Sequence, residues 1–285
     1  MTLHAITMPV RGDGKGNNVL AHAALLAKRF GAHLTVLHCR PRVDHMMPYG
    51  VPVPGFLRDQ IKASASKLAD EEERTLRAEF LELIAGWGLA ESAPQPGIAA
   101  ASWREVPGRQ IDVLKVYGRI ADLILVPKPD RDRNLGANTL KSALFTSGRP
   151  VMMCPPREQA PDALCERIAI GWNGSVEASR AVALSMPLIE AAAEVSVLTA
   201  GEEAHGATAE DFIATLALRG VTAKLRRFTV RGGSVGRALL NEAEASEADT
   251  LVMGAYSDSH ERETVFGGNT QAVIDHATMP VVLVH

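Results

Sequence analysis

No stretch of the chain approaches the ~20 consecutive apolar residues that a membrane-spanning helix needs. The opening MTLHAITMPVR also lacks the basic leader and long apolar core of a secretory signal, so a cytoplasmic protein is expected. Cysteine is scarce: Cys39, Cys154 and Cys165 are scattered, odd in number and without C-x-x-C spacing. That excludes a disulfide framework and argues against a metal or redox pair, and it fits a reducing compartment. Charge of one sign is lacking too. Thirty Lys and Arg stand against 33 Asp and Glu, and no basic run breaks the balance, so nucleic acid is not an expected partner. The nine histidines show no metal-ligand spacing, and no Ser-His-Asp or Cys-His arrangement can be inferred. No catalytic or metal-binding residues are therefore assigned.

What is present is an ordinary globular composition, 46% hydrophobic and 22% charged over 285 residues, enough for one large domain or two smaller ones. The chain also repeats itself. ADLILVPK, from Ala121, is echoed by ADTLVMGA, from Ala248; a polar loop follows each, then GANTL from Gly136 and GGNTQ from Gly267. Each half closes on a strand-like piece, GRPVMMCP and TMPVVLVH. Four echoes in one order read as a tandem duplication.

Within each half, short runs rich in Val, Ile and Leu alternate with segments of helical periodicity. In the second half the strand candidates are RIAIGW, EVSVLTA, TAKLRRFTV, TLVMGA and PVVLVH. In the first they are HAITMPV, HLTVLHC, IAASWREV, DLILVP and PVMMCPP. That alternation predicts an α/β fold: two tandem open-sheet domains, each of about five parallel strands flanked by helices, doubly wound with right-handed crossovers. The boundaries expected are 1–156, a Pro-rich polar linker at 157–165, and 166–285. The first half carries an insertion, RPRVDHMMPYGVPVPGFL, read as a mobile surface loop. After it comes a long charged helix over 59–87 whose apolar stripe is Leu68, Leu76, Phe80, Leu83 and Ile84.

In an open parallel sheet, ligands sit beyond the carboxyl ends of the strands, where the strand order reverses. The stretch GAYSDSHERETVFGGNTQAV, from Gly254, lies at such an end. Gly267 and Gly268 would open the last helix, where free backbone N–H groups and the dipole attract anions, and Asn269 and Thr270 add side-chain donors.

On these residues the chain resembles a tandem universal stress protein, of a family of adenine-nucleotide-binding α/β domains related in fold to the adenine nucleotide alpha-hydrolases. The family's phosphate motif is Gly, two residues, Gly, nine residues, Gly, then Ser or Thr. Gly254, Ser257, Gly267 and Gly268 keep that spacing, and IAIGWNGSVEASRAV, from Ile168, resembles the family's first strand, turn and helix. The resemblance implies ATP or another adenine nucleotide, with or without Mg, in the C-terminal half. Adenosine would rest near Gly171, Trp172, Asn173 and Ala200, and phosphates over Met253, Gly254, Ser257 and Gly267 to Thr270. It departs in three places: Ser257 stands for glycine, Gly268 for the hydroxyl residue, and Asn173 for an aspartate. A left-handed Ser257 would carry about 1–2 kcal/mol of strain.

The first half keeps less of the motif. Pro127 stands where Gly254 does, Pro129 follows, and the interval from Pro127 to Gly136 is four residues shorter than that from Gly254 to Gly267. Proline donates no N–H, so no nucleotide is expected there. GDGKG, from Gly12, lacks P-loop spacing and reads as a turn, and Ser234 in VRGGSVGRALL reads as a helix cap. The leading expectation is a regulatory nucleotide-binding protein of the stress-response type. A slow ATP hydrolase or adenylyl transferase is a second, its candidate groups being His260, Asp258 and Glu263, with Arg262 near the phosphates. A third is a nucleotide-free oligomeric scaffold joined through PVVLVH. As partners the reading expects a homo-oligomer, or a pseudo-dimer formed within one chain.

Overall fold

The computed structural model describes residues 2–10, 16–40, 54–133, 135–156, 161–201, 206–230, 232–256 and 268–285. Residues 41–53 of the insertion, 12–15 of GDGKG and the candidates Ser257, Asp258, His260, Arg262, Glu263 and Gly267 lie outside these described residues; the insertion's end, from Gly55, is helical rather than loop.

The first half runs β1 (Ala5–Val10), α1 (Gly16–Phe30), β2 (His33–Arg40), α2 (Gly55–Gly86), β3 (Ala90–Glu91), β4 (Ala100–Pro107), α3 (Gln110–Tyr117), β5 (Leu123–Pro127), α4 (Ala137–Thr146) and β6 (Val151–Cys154). The second runs β7 (Arg167–Gly171), α5 (Val176–Glu190), β8 (Glu194–Ala200), α6 (Ala209–Ala217), β9 (Ala223–Phe228), α7 (Val235–Ala245), β10 (Thr250–Gly254), α8 (Gly268–His276) and β11 (Val281–Val284). All strands form one open sheet in the order β3-β4-β2-β1-β5-β6-β11-β10-β7-β8-β9. Within each half every pairing is parallel; the halves join through β6 and β11, the one antiparallel pair.

The two strand sets mirror each other outward from that seam, β6-β5-β1-β2-β4 against β11-β10-β7-β8-β9. Strands such as Val151–Cys154 and Val281–Val284 are buried throughout, as continuous apolar runs with helices on both faces must be. The last strand is therefore internal to the sheet: the chain's own β6 covers the edge that PVVLVH would otherwise offer a second copy.

The repeated Ala-Asp pair has a structural reason. Asp122 Oδ2 accepts hydrogen bonds from the backbone N–H groups of His4 and Ala5, both at 2.9 Å. Asp249 Oδ2 does the same for Glu166 and Arg167, again at 2.9 Å. Each aspartate satisfies the entry of its half's first strand, where no ladder partner reaches.

The predicted helix at 59–87 begins earlier, at Gly55. Leu76, Phe80 and Ile84 are buried beneath it and Leu83 packs on the same core, but Leu68 is 67% exposed. The helix extends past the sheet at its N-terminal end, so the upper part of the stripe has no layer to face. The segment expected as a polar linker ends in buried Leu164 and Cys165. Arg29 of α1 donates to the Leu164 carbonyl at 2.7 Å and to that of Ala191, beyond α5, at 2.5 Å. Among the described residues no helix is long and apolar enough to cross a membrane.

Candidate functional site

In the second half the chain leaves β7 toward β8 and β9, then returns to the other side of β7 for β10 and β11. The order therefore reverses between β7 and β10, and a cleft opens at their carboxyl ends. It holds about 290 Å³ and brings together Gly171, Trp172, Asn173, Ala200, Met253, Gly254, Asn269 and Thr270, eight of the residues named from the sequence. Gly268 opens α8 just beyond them.

Three helices begin at this cleft. Ser175 caps α5, its hydroxyl accepting from Ala178 N–H at 3.2 Å, and Ser234 caps α7 by accepting from Arg237 N–H at 3.2 Å. The Ser234 cap was legible in the sequence. Ser175, Val235 and Thr270 all line the cleft, so the first turns of α5, α7 and α8 converge on it with their positive dipole ends. Among the described residues the lining has no Lys, Arg or His, and its single carboxylate is Glu177. What these residues offer an anion is backbone dipoles and neutral donors.

Gly254 and Gly171, which end their strands, are needed by packing, whereas a Cβ on Gly268 would meet nothing within 4 Å. A Cβ on Gly254 would lie 2.5 Å from the carbonyl carbon of Glu177 and 2.6 Å from the Ala178 nitrogen, in the first turn of α5. A Cβ on Gly171 would meet Leu239 at 3.0 Å. Tyr256, not a glycine, holds a φ of 60°, and its N–H donates to the Thr270 hydroxyl at 3.3 Å. A left-handed non-glycine residue of this kind costs about 1–2 kcal/mol. The Tyr256 ring lies 5.0 Å from that of Phe145 on α4, so one wall of the cleft leans on the first half.

Asn173 Oδ1 accepts from Ser175 N–H at 3.1 Å, which fixes the turn into α5 and leaves the amide group for other partners. Trp172 lines the cleft, but its indole is engaged elsewhere. It stacks on Phe212 of α6, centroids 4.1 Å apart, and donates from Nε1 to the Ala207 carbonyl at 3.2 Å. Sequence reasoning missed Ser175, Glu177, Thr199, Phe228, Gly236 and Tyr256. They come from five separate segments; Ser175, Glu177 and Tyr256 lie inside the stretches that carry the resemblance, and Gly236 stands two places after the Ser234 cap.

The corresponding place in the first half is closed. Pro9, Gln110, Pro127, Gly136 and Thr139 surround a cavity of about 20 Å³, the room of one water. Gln110 opens α3 as Val235 opens α7, and its buried amide oxygen accepts from the Thr139 hydroxyl at 3.1 Å. Lys128, following Pro127, reaches across the seam and donates to the Ala277 carbonyl beyond α8 at 2.9 Å. Among the described residues no group of three or more His, Cys, Asp or Glu is placed to hold a metal ion.

Residues 167–285 match the universal stress protein family. That match coincides with the half whose cleft is open. No curated protein matches the chain. Among solved structures, a universal stress protein from Archaeoglobus fulgidus DSM 4304 superposes with a TM-score of 0.71 at 14% identity, over 98% of this chain and 96% of that one. A protein of unknown function from Pseudomonas aeruginosa PAO1 gives 0.57 at 16%, over 99% and 92%. A putative universal stress protein from Pseudomonas aeruginosa UCBPP-PA14 gives 0.54 at 17%, over 99% and 93%. At these identities the likeness is one of fold, and it spans both halves, whereas the family match covers the second alone.

Proposed function

We propose that the chain is a regulatory binding protein of the universal stress protein type, built from two related domains, 1–156 and 166–285, joined by a linker at 157–165. The second domain binds an adenine nucleotide (ATP, ADP or AMP), with or without Mg. The observation that carries this reading is the cleft at the β7/β10 switch point, where the amino ends of α5, α7 and α8 meet two glycine-ended strands. Its volume of about 290 Å³ is at the lower end of the ~300–1,000 Å³ usual for small-molecule sites. Adenosine rests against Gly171, Asn173 and Ala200, with Trp172 shaping the wall. The phosphates lie at Gly254 and the start of α8, where Gly268, Asn269 and Thr270 offer N–H and hydroxyl donors; Ser257 and Gly267 complete the cradle.

Among the described residues the lining carries no cation, and their contribution to affinity is that of oriented dipoles. Mass spectrometry of the natively purified chain tests the reading, together with melting curves in ATP, ADP and AMP. A ligand at 100 times its dissociation constant stabilises the fold by about 2.7 kcal/mol. Absence of any co-purified adenine nucleotide together with an unmoved melting curve in all three overturns it.

A further inference from the structure

Thr7 and Thr35 sit opposite each other on β1 and β2 and face the same cavity, a groove of about 670 Å³ on the outer surface of the first half. Thr7 is only 5% exposed, yet neither hydroxyl has a hydrogen-bond partner among the described residues. Both hydroxyls open onto the groove, and their natural partner is whatever fills it.

Comparison of the halves shows why the groove exists. Arg104 lies opposite Leu37 in the β2–β4 ladder, just as Arg226 lies opposite Leu198 in the β8–β9 ladder. In the second half α7, eleven residues long, covers this face: Leu239 and Leu240 are buried on it, and Glu242 takes the Arg226 guanidinium at 2.7 Å. In the first half α3 has eight residues and packs chiefly on α4 and β1, leaving the face of β2 and β4 open. Arg104 there meets the Tyr117 ring, 5.4 Å from its centroid, and has no carboxylate partner among the described residues. No Asp or Glu lines the groove, and its floor and rim include Leu37 and Ile120.

We propose that this groove is a second binding site, distinct from the nucleotide cleft, and that it takes a small carboxylate with a flat apolar body. The carboxylate accepts from Arg104 and from the two threonine hydroxyls, while the apolar body lies along Leu37, Tyr117 and Ile120. One guanidinium and no carboxylate suit a single negative charge. The other ionisable side chains of the described lining besides Tyr117 are His4 and His33, and Arg104 is its one guanidinium.

The test uses the full-length ¹⁵N-labelled protein titrated with naphthalene-2-carboxylate, with neutral naphthalene-2-carboxamide as a parallel probe. Amide shifts are expected to concentrate at Thr7, Thr35 and Tyr117 for the carboxylate. R104Q should weaken binding about tenfold, the loss of one charged hydrogen bond, and Thr35→Leu should fill the floor and abolish it. Arg104 is exposed, so R104Q alone carries the test if Thr35→Leu does not fold. Equal binding of the amide, an unchanged affinity in R104Q, or shifts gathered at the β7/β10 cleft or spread over the surface would each overturn the proposal.

Discussion

Gly236 and Asn269 meet backbone to backbone. A Cβ built on Gly236 would lie far inside van der Waals contact of the Asn269 carbonyl oxygen, with the Asn269 carbonyl carbon only 3.0 Å away. The first turn of α7 is thereby held against the first turn of α8, and two of the cleft's three helix ends are set by one missing methyl. Gly236→Ala is expected to destabilise the fold by about 1–3 kcal/mol, since neither partner is a side chain that can rotate aside. Denaturant melts would read this, and nucleotide affinity should fall with it. An unchanged midpoint would mean the helices separate at no cost.

The two aspartates that seat the first strands should be equivalent in energy despite lying in different halves. Asp249→Ala strands the N–H groups of Glu166 and Arg167, and Asp122→Ala those of His4 and Ala5. Each variant should lose about 1–3 kcal/mol. Aspartate to asparagine should recover part of it through the remaining carbonyl oxygen. Thermal melts of the four variants decide the matter, and a null result for either alanine variant would contradict the repeated role.

Thr270 is the hydroxyl that stands two places after the position expected for one, and it holds the Tyr256 N–H at 3.3 Å. Thr270→Val should reduce nucleotide affinity about fivefold to tenfold, consistent with the loss of one hydrogen bond. Calorimetric titration of ADP into both proteins gives the comparison. Equal affinities would remove Thr270 from the cradle.

Acid should weaken the first half. Burial pushes the imidazoles of His33 and His38 below the usual histidine range, and for His38 the desolvation outweighs the nearby Glu105 and Glu72. His33 Nε2 is 2.8 Å from the Ser102 hydroxyl, and His38 stacks on Trp103 at 5.4 Å. The folded chain therefore binds fewer protons than the unfolded one once pH falls below the free histidine value of about 6.5. Stability is complete above that pH and declines as the pH drops through it toward the lowered folded values. Melting temperatures at pH 7.5 and 5.5 should differ, and His38→Gln should shrink the difference. A flat profile would show both histidines accept protons in place.

Arg29 ties the first half to the second through two carbonyls, those of Leu164 and Ala191. Arg29→Met keeps the stem and removes the donors. A loss of about 1–3 kcal/mol is expected, two charge-assisted hydrogen bonds being given up, one of them to the carbonyl of buried Leu164. Differential scanning calorimetry should show it, along with earlier proteolysis near residue 160 if the seam loosens. Identical thermograms would exclude the tie.

The strands of both halves could be read closely from the sequence. EVSVLTA matches β8 residue for residue, and TLVMGA and DLILVP overrun β10 and β5 by one residue each, because a strand buried on both faces must be a continuous apolar run. The cleft was half legible. Gly254 and Thr270 belong to a spaced motif, but Ser175, Thr199 and Phe228 are ordinary residues until the sheet brings their segments to one edge. Leu68 shows the opposite error: helical periodicity marks a face, and only the neighbouring layer decides whether that face is covered.

By itself, the sequence determined the alternation of strand and helix and the echoed segments of the two halves, with proline in the first where the second has Gly254. These are local properties, carried by side-chain periodicity and by proline and glycine at fixed places. The tertiary structure alone decided that both copies share one sheet, since β6 and β11 pair only when two buried edges meet. It also decided that Gln110 and Thr139 fill one cleft while Gly236 keeps the other open, and that a helix three residues shorter leaves Arg104 facing a groove where Arg226 has Glu242. Such outcomes depend on which surfaces come within a few ångströms across the fold, a distance that no spacing along the chain encodes.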